Sequence, residues 1–355
     1  GVHATLEMKV LDKLPDIDYS VLREGEEVML NLVNDVPLKD IKGITYRENK
    51  NKLVNNGIAP IIKDIDNLPM PERDKFWGIT EEEKKGVDVS YICTIRGCPY
   101  KCTYCASPFH WDRKTTRLRS PKSVIDEMKH LKKNYWQNVK KFDFSQSANS
   151  TAKDQLKIED NTMVYFVDDV FTVHKKRVKE ILKMMIKEKL NMKWKCEART
   201  DHLDDEIAEL LNEAGCVRVK LGFESGSDKI LKQVKKLETK DEMLNGARIL
   251  KKHNVAFSGY FMTGFPGETD EDLQQTIDFA KEVDADYYSL SVLAPYYGTE
   301  LFNDLMAKGH QLDKQPWEYF FHQSPELMVN STITPEMLKK FLALNELNKV
   351  KQGYV

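Results

Sequence analysis

The chain has 355 residues, with 54 Lys or Arg against 56 Asp or Glu, so its formal net charge is −2. This balance disfavours the basic surface by which proteins bind nucleic-acid phosphates. No stretch of about 18 apolar residues and no charged segment followed by an apolar one occurs, which argues against a membrane span and a signal peptide and makes the cytoplasm the expected compartment.

The first part of the chain predicts a small accessory unit. A helix-like run covers 6–14, a short strand covers 17–22, and GEEVMLNLV predicts a helix with an acidic first turn. Two strand-like runs flanking a polar turn follow within 39–56. A proline-rich segment comes next and predicts a linker, with a domain boundary between Pro60 and Val87.

From Val87 onward, strand-like and helical runs alternate. The six strand-like runs are VSYICTI, MVYFVDD, MKWKCEAR, CVRVKLGFES, VAFSGYFMTG and ADYYSLSVLAP. Amphipathic helices are predicted between them, for example over 121–135, 173–189, 204–214 and 270–283. Strands joined by helices in this way favour a parallel sheet, closed as a barrel or open, with the functional side chains at the strand ends.

Two segments stand outside this alternation. The polar stretch 142–161 is expected to be an insertion loop between the first helix and the second strand. The tail from about Gln311 carries PWEYFF and then Thr334-Pro335-Glu336, an N-cap and proline that predict the start of a last helix.

Four of the six cysteines lie close together, and three of them form CxxxCxxC: Cys98, Cys102 and Cys105. Clustered thiols in a reducing compartment indicate metal binding. Three thiolates on one loop can hold three irons of a cubane cluster and leave the fourth iron open. The alternative is a structural zinc site, which needs a fourth ligand; Cys93 is poorly placed for that role, and His110 is the other nearby candidate.

The segment CPYKCTYC after the first strand resembles the signature of radical S-adenosylmethionine (SAM) enzymes, and the resemblance extends over about 87–305. It implies a partial (β/α)6 TIM-like barrel in which Cys98, Cys102 and Cys105 hold a [4Fe-4S] cluster. SAM would chelate the open iron and be cleaved reductively to a 5′-deoxyadenosyl radical. Tyr104 matches the aromatic position that lies against the adenine.

Two downstream segments are similar to further motifs of that family. LGFESGS, at 221–227, matches the fourth-strand segment, which implies that Glu224 contacts the ribose or methionyl part of SAM. GYFMTGFPGET, at 259–269, matches the fifth-strand motif, in which Gly264 and Gly267 would let the backbone approach the adenine.

Two other strand ends carry charged residues. By the resemblance, Asp168 would face the ammonium group of SAM, whereas Asp169 could instead cap the next helix. Arg199 is expected to pair with a carboxylate, either that of the methionyl group or Glu197. Cys196 and Cys216 are expected to be core thiols and are assigned no chemistry.

The opening GVHAT and the segment DIDYSVLREGEEVMLNLV resemble the closing part of a Rossmann-like cobalamin-binding domain that precedes the barrel in one subgroup of this family. By that resemblance His3, Thr5 and Gly25 would lie near the corrin ring of the full-length parent. The earlier strands of that domain are not in this sequence, which starts at Gly1. We therefore expect an N-terminally incomplete chain whose own cobalamin binding is in question.

The expected fold class is α/β, a radical SAM barrel preceded by the C-terminal remnant of a Rossmann-like domain. The expected divisions are 1–38 for that remnant, 39–86 for a hairpin and linker, 87–310 for the barrel with its insertion at 142–161, and 311–355 for a helical extension.

The resemblance implies an enzyme that generates a radical from SAM, with cobalamin-dependent methylation or rearrangement of an unactivated centre in a small molecule as the outcome. It also implies a one-electron donor such as flavodoxin or a ferredoxin-like protein, and predicts neither a nucleic-acid partner nor a membrane span. Two alternatives stay open: a methylthiotransferase acting on RNA or protein, and a non-enzymatic zinc-stabilised binding module.

Overall fold

A computed structural model describes residues 1–7, 10–49, 52–73, 91–111, 116–134, 163–321, 326–327, 329–330 and 332–351. All structural statements below concern these residues. The predicted insertion at 142–161 lies outside them, as does 74–90 of the predicted linker.

The strands are short in the first third of the chain and longer in the barrel. They are β1 Tyr19–Val21, β2 Ile44–Asn49, β3 Lys52–Asn55, β4 Tyr91–Ile92, β5 Ile95–Arg96, β6 Arg117–Leu118, β7 Met163–Phe166, β8 Lys193–Ala198, β9 Cys216–Glu224, β10 Phe257–Thr263 and β11 Tyr287–Val292.

The helices follow the strands in alternation. They are α1 Val2–Leu6, α2 Val10–Lys13, α3 Glu26–Val33, α4 Ser107–His110, α5 Pro121–Asn134, α6 Lys175–Lys187, α7 Asp205–Glu213, α8 Asp228–Gln233, α9 Lys240–Lys252, α10 Asp270–Val283, α11 Glu300–Ala307, α12 Pro335–Leu342 and α13 Glu346–Lys351. Short 3-10 turns at Phe171–Val173 and Thr200–His202 follow β7 and β8.

The central sheet has six parallel strands in the order β11-β10-β9-β8-β7-β4. Neighbouring strands are consecutive strands of the barrel sequence, each joined to the next through helical segments, and β4 and β11 form the two edges. This order is that of a partial barrel and confirms the predicted six-unit α/β architecture.

The main core lies between this sheet and its helices. Side chains on alternate strand positions, such as Trp194 and Cys196 of β8, are buried against apolar residues of the surrounding helices. The Trp194 indole N–H donates to the Ala214 carbonyl at 2.8 Å, which satisfies a polar group that burial would otherwise leave unpaired. The opposite strand face is only half-buried and lines the barrel interior.

The first barrel strand is shorter than VSYICTI predicts. β4 ends at Ile92, and Ile95–Arg96 pairs instead with Arg117–Leu118 in a separate two-stranded antiparallel sheet. The break occurs because the Asp168 carboxylate accepts hydrogen bonds from the backbone N–H groups of Thr94 and Ile95, at 2.5 and 2.9 Å, and draws the chain away from the ladder.

The N-terminal unit has its own antiparallel sheet, β1-β2-β3, and the predicted hairpin over 39–56 is confirmed. Its small core contains Val28, Ile41, Ile44 and Tyr46. The single helix predicted over 6–14 is wrong: α1 ends at Leu6 and α2 begins at Val10, because Leu6 packs on an apolar cluster of the barrel whereas Val10 and Leu11 are buried separately.

In the parts of the chain that the structure describes, none of the helices has both the length and the apolar character that crossing a membrane requires.

Candidate functional site

A cavity of about 300 Å³ opens at the C-terminal ends of the barrel strands. Its walls come from the cysteine loop and from the ends of β8, β9, β10 and β11. The predicted site residues that line it are Cys98, Cys102, Tyr104, Cys105, Arg199 and Glu224. Chain positions more than a hundred residues apart are therefore brought to one cavity, as expected for parallel strands.

The three cysteines of the CxxxCxxC loop all line this cavity and are free thiols. The loop is fixed by backbone hydrogen bonds from Thr103 N–H to the Val234 carbonyl, 3.1 Å, and from Leu301 N–H to the Thr103 carbonyl, 3.0 Å. Burial raises the pKa of Cys98 to about 11 and raises the pKa of Cys102 and Cys105 as well. Thiolate ligation there requires a cationic centre that compensates for the burial.

The two residues considered for a fourth zinc ligand lie elsewhere. Cys93 lines a different cavity, beside Arg96 and Glu127. His110 is buried against Trp111, and burial lowers its pKa to about 4. Among the described residues, no group of three or more His, Cys, Asp or Glu side chains is arranged to hold a single metal ion.

A buried network of ion pairs forms one wall of the cavity. Arg199 stacks on the Tyr100 ring, with its guanidinium carbon 3.7 Å from the centroid, and its guanidinium binds both carboxylate oxygens of Asp201 at 3.0 and 2.9 Å. Lys236 lies 3.3 Å from Glu238 and 3.5 Å from Glu224. The partners predicted for Arg199 were the methionyl group or Glu197; within the protein it instead pairs with Asp201 and Glu238.

Lys236 is a site residue that the sequence did not reveal. It lies just after α8 in a lysine-rich stretch without a recognisable motif, and only the fold carries it into the cavity. Its side chain is 7% exposed. Burial lowers the pKa of its ammonium group, but Glu224 and Glu238 outweigh that effect and the pKa is raised, so Lys236 is a cation at neutral pH.

Glu224 occupies a special backbone position. Its φ is +65°, a left-handed conformation that is uncommon for a residue with a side chain, and the register with β10 shifts beside it. Two residues earlier, a methyl group added to Gly222 would collide with the Glu224 carboxylate and lie 3.1 Å from the Lys236 ammonium nitrogen. The missing side chain thus keeps open the space into which both charged groups point.

Asp168 does not line the cavity. It is buried, and besides the two backbone donors it accepts a hydrogen bond from the Thr94 hydroxyl at 2.6 Å, so its role in this structure is to hold the start of the cysteine segment. The neighbouring Asp169 lines the cavity and accepts a hydrogen bond from Ser107 at 2.5 Å. Asp169 does not cap α6, whose N-cap position is His174.

Gly264 and Gly267 both have positive φ, +90° and +72°, in the loop after β10. The loop closes on Glu268, whose carboxylate accepts from the N–H groups of Gly264 and Phe265 at 2.7 and 3.1 Å. Tyr104 packs edge-on against Phe265 with ring centroids 6.2 Å apart, so this loop supports the aromatic wall of the cavity.

The three residues predicted near a corrin lie in the N-terminal unit. His3 packs edge-on against Trp317 at 4.8 Å and pairs with Glu7 at 3.3 Å. The Thr5 hydroxyl accepts from the Arg23 N–H at 2.6 Å, and Gly25 is the N-cap residue of α3. Their role toward a corrin stays a prediction.

Comparison with known families decides the class of the protein. The sequence profile of the radical SAM superfamily matches residues 92–280, more than half of the chain. The chain belongs to the radical SAM superfamily. The match begins at β4 and ends in α10, so it includes the cysteine loop and the ends of β8, β9 and β10 that line the cavity. Membership in this enzyme superfamily decides against the zinc-stabilised binding module.

Curated relatives of this radical SAM protein include methyltransferases and cyclases. An uncharacterized methyltransferase of Pyrococcus horikoshii is 29% identical over 365 aligned positions, covering 100% of this chain and 70% of the relative. The anaerobic magnesium-protoporphyrin IX monomethyl ester cyclase of Rubrivivax gelatinosus is 29% identical over 334 positions, covering 90% of this chain and 55% of that enzyme. The chain thus spans between about half and 70% of the length of these relatives.

Solved structures share the fold. The radical SAM methyltransferase TsrM from Kitasatospora setae, determined with cobalamin and a [4Fe-4S] cluster, aligns with a TM-score of 0.67 at 18% identity, over 87% of this chain and 59% of TsrM. The cobalamin-dependent radical enzyme OxsB, determined with aqua-cobalamin and SAM, aligns with a TM-score of 0.69 at 14% identity, over 99% of this chain and 58% of OxsB. Both confirm the expected radical SAM architecture.

Proposed function

We propose that this radical SAM protein binds a [4Fe-4S] cluster through Cys98, Cys102 and Cys105 and cleaves SAM reductively. The observation that supports this most directly is that the three thiols share one cavity with Glu224 and with the ion-paired cations Arg199 and Lys236. When bound, the cluster supplies the electron that breaks a carbon–sulfur bond of SAM.

The other cavity residues suit the polar ends of SAM. Lys236 and Arg199 are buried cations that would bind the methionyl carboxylate, since charge-assisted hydrogen bonds are strong where water is excluded. Glu224 and Asp169 are the carboxylates available for the ammonium and ribose groups, so Asp169 takes the role predicted for Asp168. Tyr104 and the loop of Gly264 and Gly267 would enclose the adenine.

For the whole protein we propose cobalamin-dependent methylation or rearrangement of an unactivated centre in a small molecule. The methyltransferases and cyclases among its relatives support this reaction class. A cobalamin domain would precede the barrel, with 1–38 as its last part and His3, Thr5 and Gly25 near the corrin. The same proposal includes the remaining divisions of the chain: 39–86 as hairpin and linker, 87–310 as the barrel and 311–355 as a helical extension. It also includes a flavodoxin- or ferredoxin-like electron donor and a cytoplasmic location.

Methylthiolation is a second candidate. A methylthiotransferase-like protein of Methanocaldococcus jannaschii is 29% identical over 301 positions, covering 85% of this chain. Accumulation of a thiomethylated product, with sulfur taken from the protein, would favour this candidate over methylation.

The proposed function is tested by anaerobic reconstitution with iron and sulfide, followed by dithionite reduction. We expect a reduced-cluster electron paramagnetic resonance signal that shifts when SAM is added, and 5′-deoxyadenosine by chromatography. Cys102→Ala should abolish both, whereas the matched control Cys93→Ala should retain them, because Cys93 lines a different cavity. Retention of zinc without any cluster signal would refute the proposal.

A further inference from the structure

The inner face of the barrel next to the proposed SAM site is polar, cationic and rich in tyrosine. It is formed by half-buried side chains of adjacent strands, namely Tyr165, Lys195, Glu197, Arg218, Lys220, Tyr260 and Tyr287. Barrel interiors are ordinarily filled by branched apolar side chains. This face therefore differs from the packed core of an ordinary barrel.

This inner face is continuous with the proposed SAM site. Glu197, Lys220 and Tyr260 line the same cavity as the three cysteines. Lys220 lies four positions before Glu224 on β9, a spacing of roughly 13 Å along a strand. A molecule that extends from Lys220 along this shared cavity would reach SAM, as hydrogen transfer at near-contact distance requires.

The charges on this face favour an anion. The Lys220 ammonium donates to the Tyr165 hydroxyl at 2.7 Å and lies 3.7 Å from Glu197. Arg218, two positions earlier on β9, has no carboxylate partner within ion-pair distance in the described part of the chain; its guanidinium lies 5.7 Å from the Tyr287 ring centroid. Glu197 itself accepts a hydrogen bond from the Tyr165 hydroxyl. Lys220 and Arg218 thus leave an excess of positive charge over Glu197.

The tyrosines add flat surfaces beside these cations. The Lys220 ammonium lies 4.3 Å from the Tyr165 ring centroid and 5.7 Å from that of Tyr260. The rings of Tyr91 and Tyr165 lie 5.9 Å apart at the edge of the sheet. Aromatic rings favour a planar conjugated ligand that can stack on them, and the neighbouring cations favour a ligand that carries a negative charge.

We propose that this inner face binds the substrate, and that the substrate joins a planar conjugated ring to a carboxylate or phosphate. Lys220 and Arg218 hold the anionic group, and Tyr165 and Tyr260 flank the ring. This assignment rests on the proposed function, because it places the ring beside SAM.

The test is calorimetric titration of the anaerobically reconstituted, unreduced chain in the presence of SAM. The probes are 2-naphthoate, 2-naphthyl phosphate, 2-naphthalenemethanol and acetate. We expect the two ring-bearing anions to bind and the alcohol and acetate to bind at least about tenfold more weakly, because a charged hydrogen bond and ring contacts each contribute to affinity. Tighter binding of 2-naphthoate would indicate a carboxylate substrate, and tighter binding of 2-naphthyl phosphate would indicate a phosphate substrate.

Variants test the residues. Lys220→Met should weaken the preferred anion about tenfold or more, Arg218→Gln should weaken it as well, and Lys220→Arg should retain most of the affinity because it keeps the charge. Lys232→Met, at an exposed lysine of α8, is the matched control and should have no effect.

Any of three outcomes would overturn the proposal. The first is equal affinity for the alcohol and the naphthoate, and the second is no binding of either ring-bearing anion. The third is full affinity for the preferred anion in both Lys220→Met and Arg218→Gln. These outcomes are distinguishable from failure of the proposed function, which would appear as absent SAM binding and absent cluster signal in the unaltered chain. Binding of the naphthyl probes is measured independently of SAM cleavage.

Discussion

At the residue scale, the space left by Gly222 matters as much as the charged groups around it. A single methyl group there would meet the carboxylate of Glu224 and the ammonium of Lys236. The Lys236 ammonium cannot retreat freely, because it is also held by Glu238, 3.3 Å away. The absence of a side chain at position 222 therefore affects the placement of the two charged groups that are proposed to bind the methionyl part of SAM.

We expect Gly222→Ala to weaken SAM binding by about tenfold or more, measured by equilibrium dialysis on the reconstituted chain. The matched control is Gly259→Ala on β10, whose added methyl group would face Phe261 and Ala285 in the core. It should lower the free energy of unfolding and leave SAM affinity intact. Equal SAM affinity in wild type and Gly222→Ala would contradict the role given to this space.

Glu268 is a second residue whose environment predicts a measurable effect. Burial raises its pKa from 4.5 to about 7, against the lowering effect of donors at Gly264, Phe265 and Thr263. Its other carboxylate oxygen is buried without a hydrogen-bond partner. The folded state thus keeps a proton that the unfolded chain has already lost, so stability falls as pH rises from about 4.5 to about 7.

Urea denaturation at pH 5 and pH 8 checks whether the free energy of unfolding falls as pH rises. The free energy of unfolding of wild type should fall by roughly 1–3 kcal/mol more than that of Glu268→Gln over this interval, because Gln does not titrate. The glutamine oxygen can still accept from the Gly264 and Phe265 N–H groups, so the variant should fold. An identical pH profile in both proteins would show that Glu268 is ionised throughout.

At the element scale, the start of α10 is tied to the strand-end motif after β9. Thr269 and Asp272 form a capping box, and Asp272 also accepts from Ser227 at 2.7 Å and from Lys229 at 2.5 Å. Burial would raise the pKa of Asp272, but Lys229 and Ser227 outweigh it and lower the pKa to about 2. The carboxylate therefore stabilises the fold above about pH 4, and this contribution is lost as pH falls toward 2.

We expect Asp272→Asn to lower the free energy of unfolding at pH 7 by about 1–3 kcal/mol, because it removes a buried charge partner of Lys229 and weakens the cap. The control is Glu242→Gln, which alters the exposed capping box of α9 and should cost less than about 1 kcal/mol. Urea denaturation of both variants gives the comparison. A larger loss in Glu242→Gln would show that the tie to β9 contributes little.

At the scale of the whole molecule, one carboxylate joins the N-terminal unit to the barrel. Glu24 accepts from Arg96 at 2.5 Å and from Arg117 at 2.6 Å, and also from the Ile62 N–H at 3.0 Å. Its side chain is 4% exposed, whereas Glu26, which pairs with the same Arg96, is 39% exposed. The two glutamates therefore form a matched buried and exposed pair.

Glu24→Gln should lower the free energy of unfolding by about 2–4 kcal/mol, since it leaves the buried Arg117 without its counter-charge and leaves Arg96 paired only with the exposed Glu26. Glu26→Gln should cost less than about 1 kcal/mol, because its ion pair is largely solvated. Urea denaturation and limited proteolysis of both variants measure the difference. Equal stabilities would mean that the two units are held together by apolar contacts instead.

The sequence alone determined the cysteine loop, the alternation of strands and helices in the barrel and most of the helices. These features are local: ligand spacing lies within eight residues, and the alternation of strands and amphipathic helices is visible in apolar periodicity. Arg199 could be selected because it ends a predicted strand, where parallel sheets collect functional side chains. Glu224 could be selected because LGFESGS resembles the fourth-strand segment of the family.

Only the tertiary structure decided which other residues meet them. Lys236 enters the cavity from a loop without a motif, and Asp169 lines the cavity whereas Asp168 is bound to Thr94, 74 residues earlier. Glu24 and Arg117, 93 residues apart, form their ion pair at the contact between two units. Such contacts depend on the packing of distant segments, and periodicity and spacing along the chain carry no record of that packing.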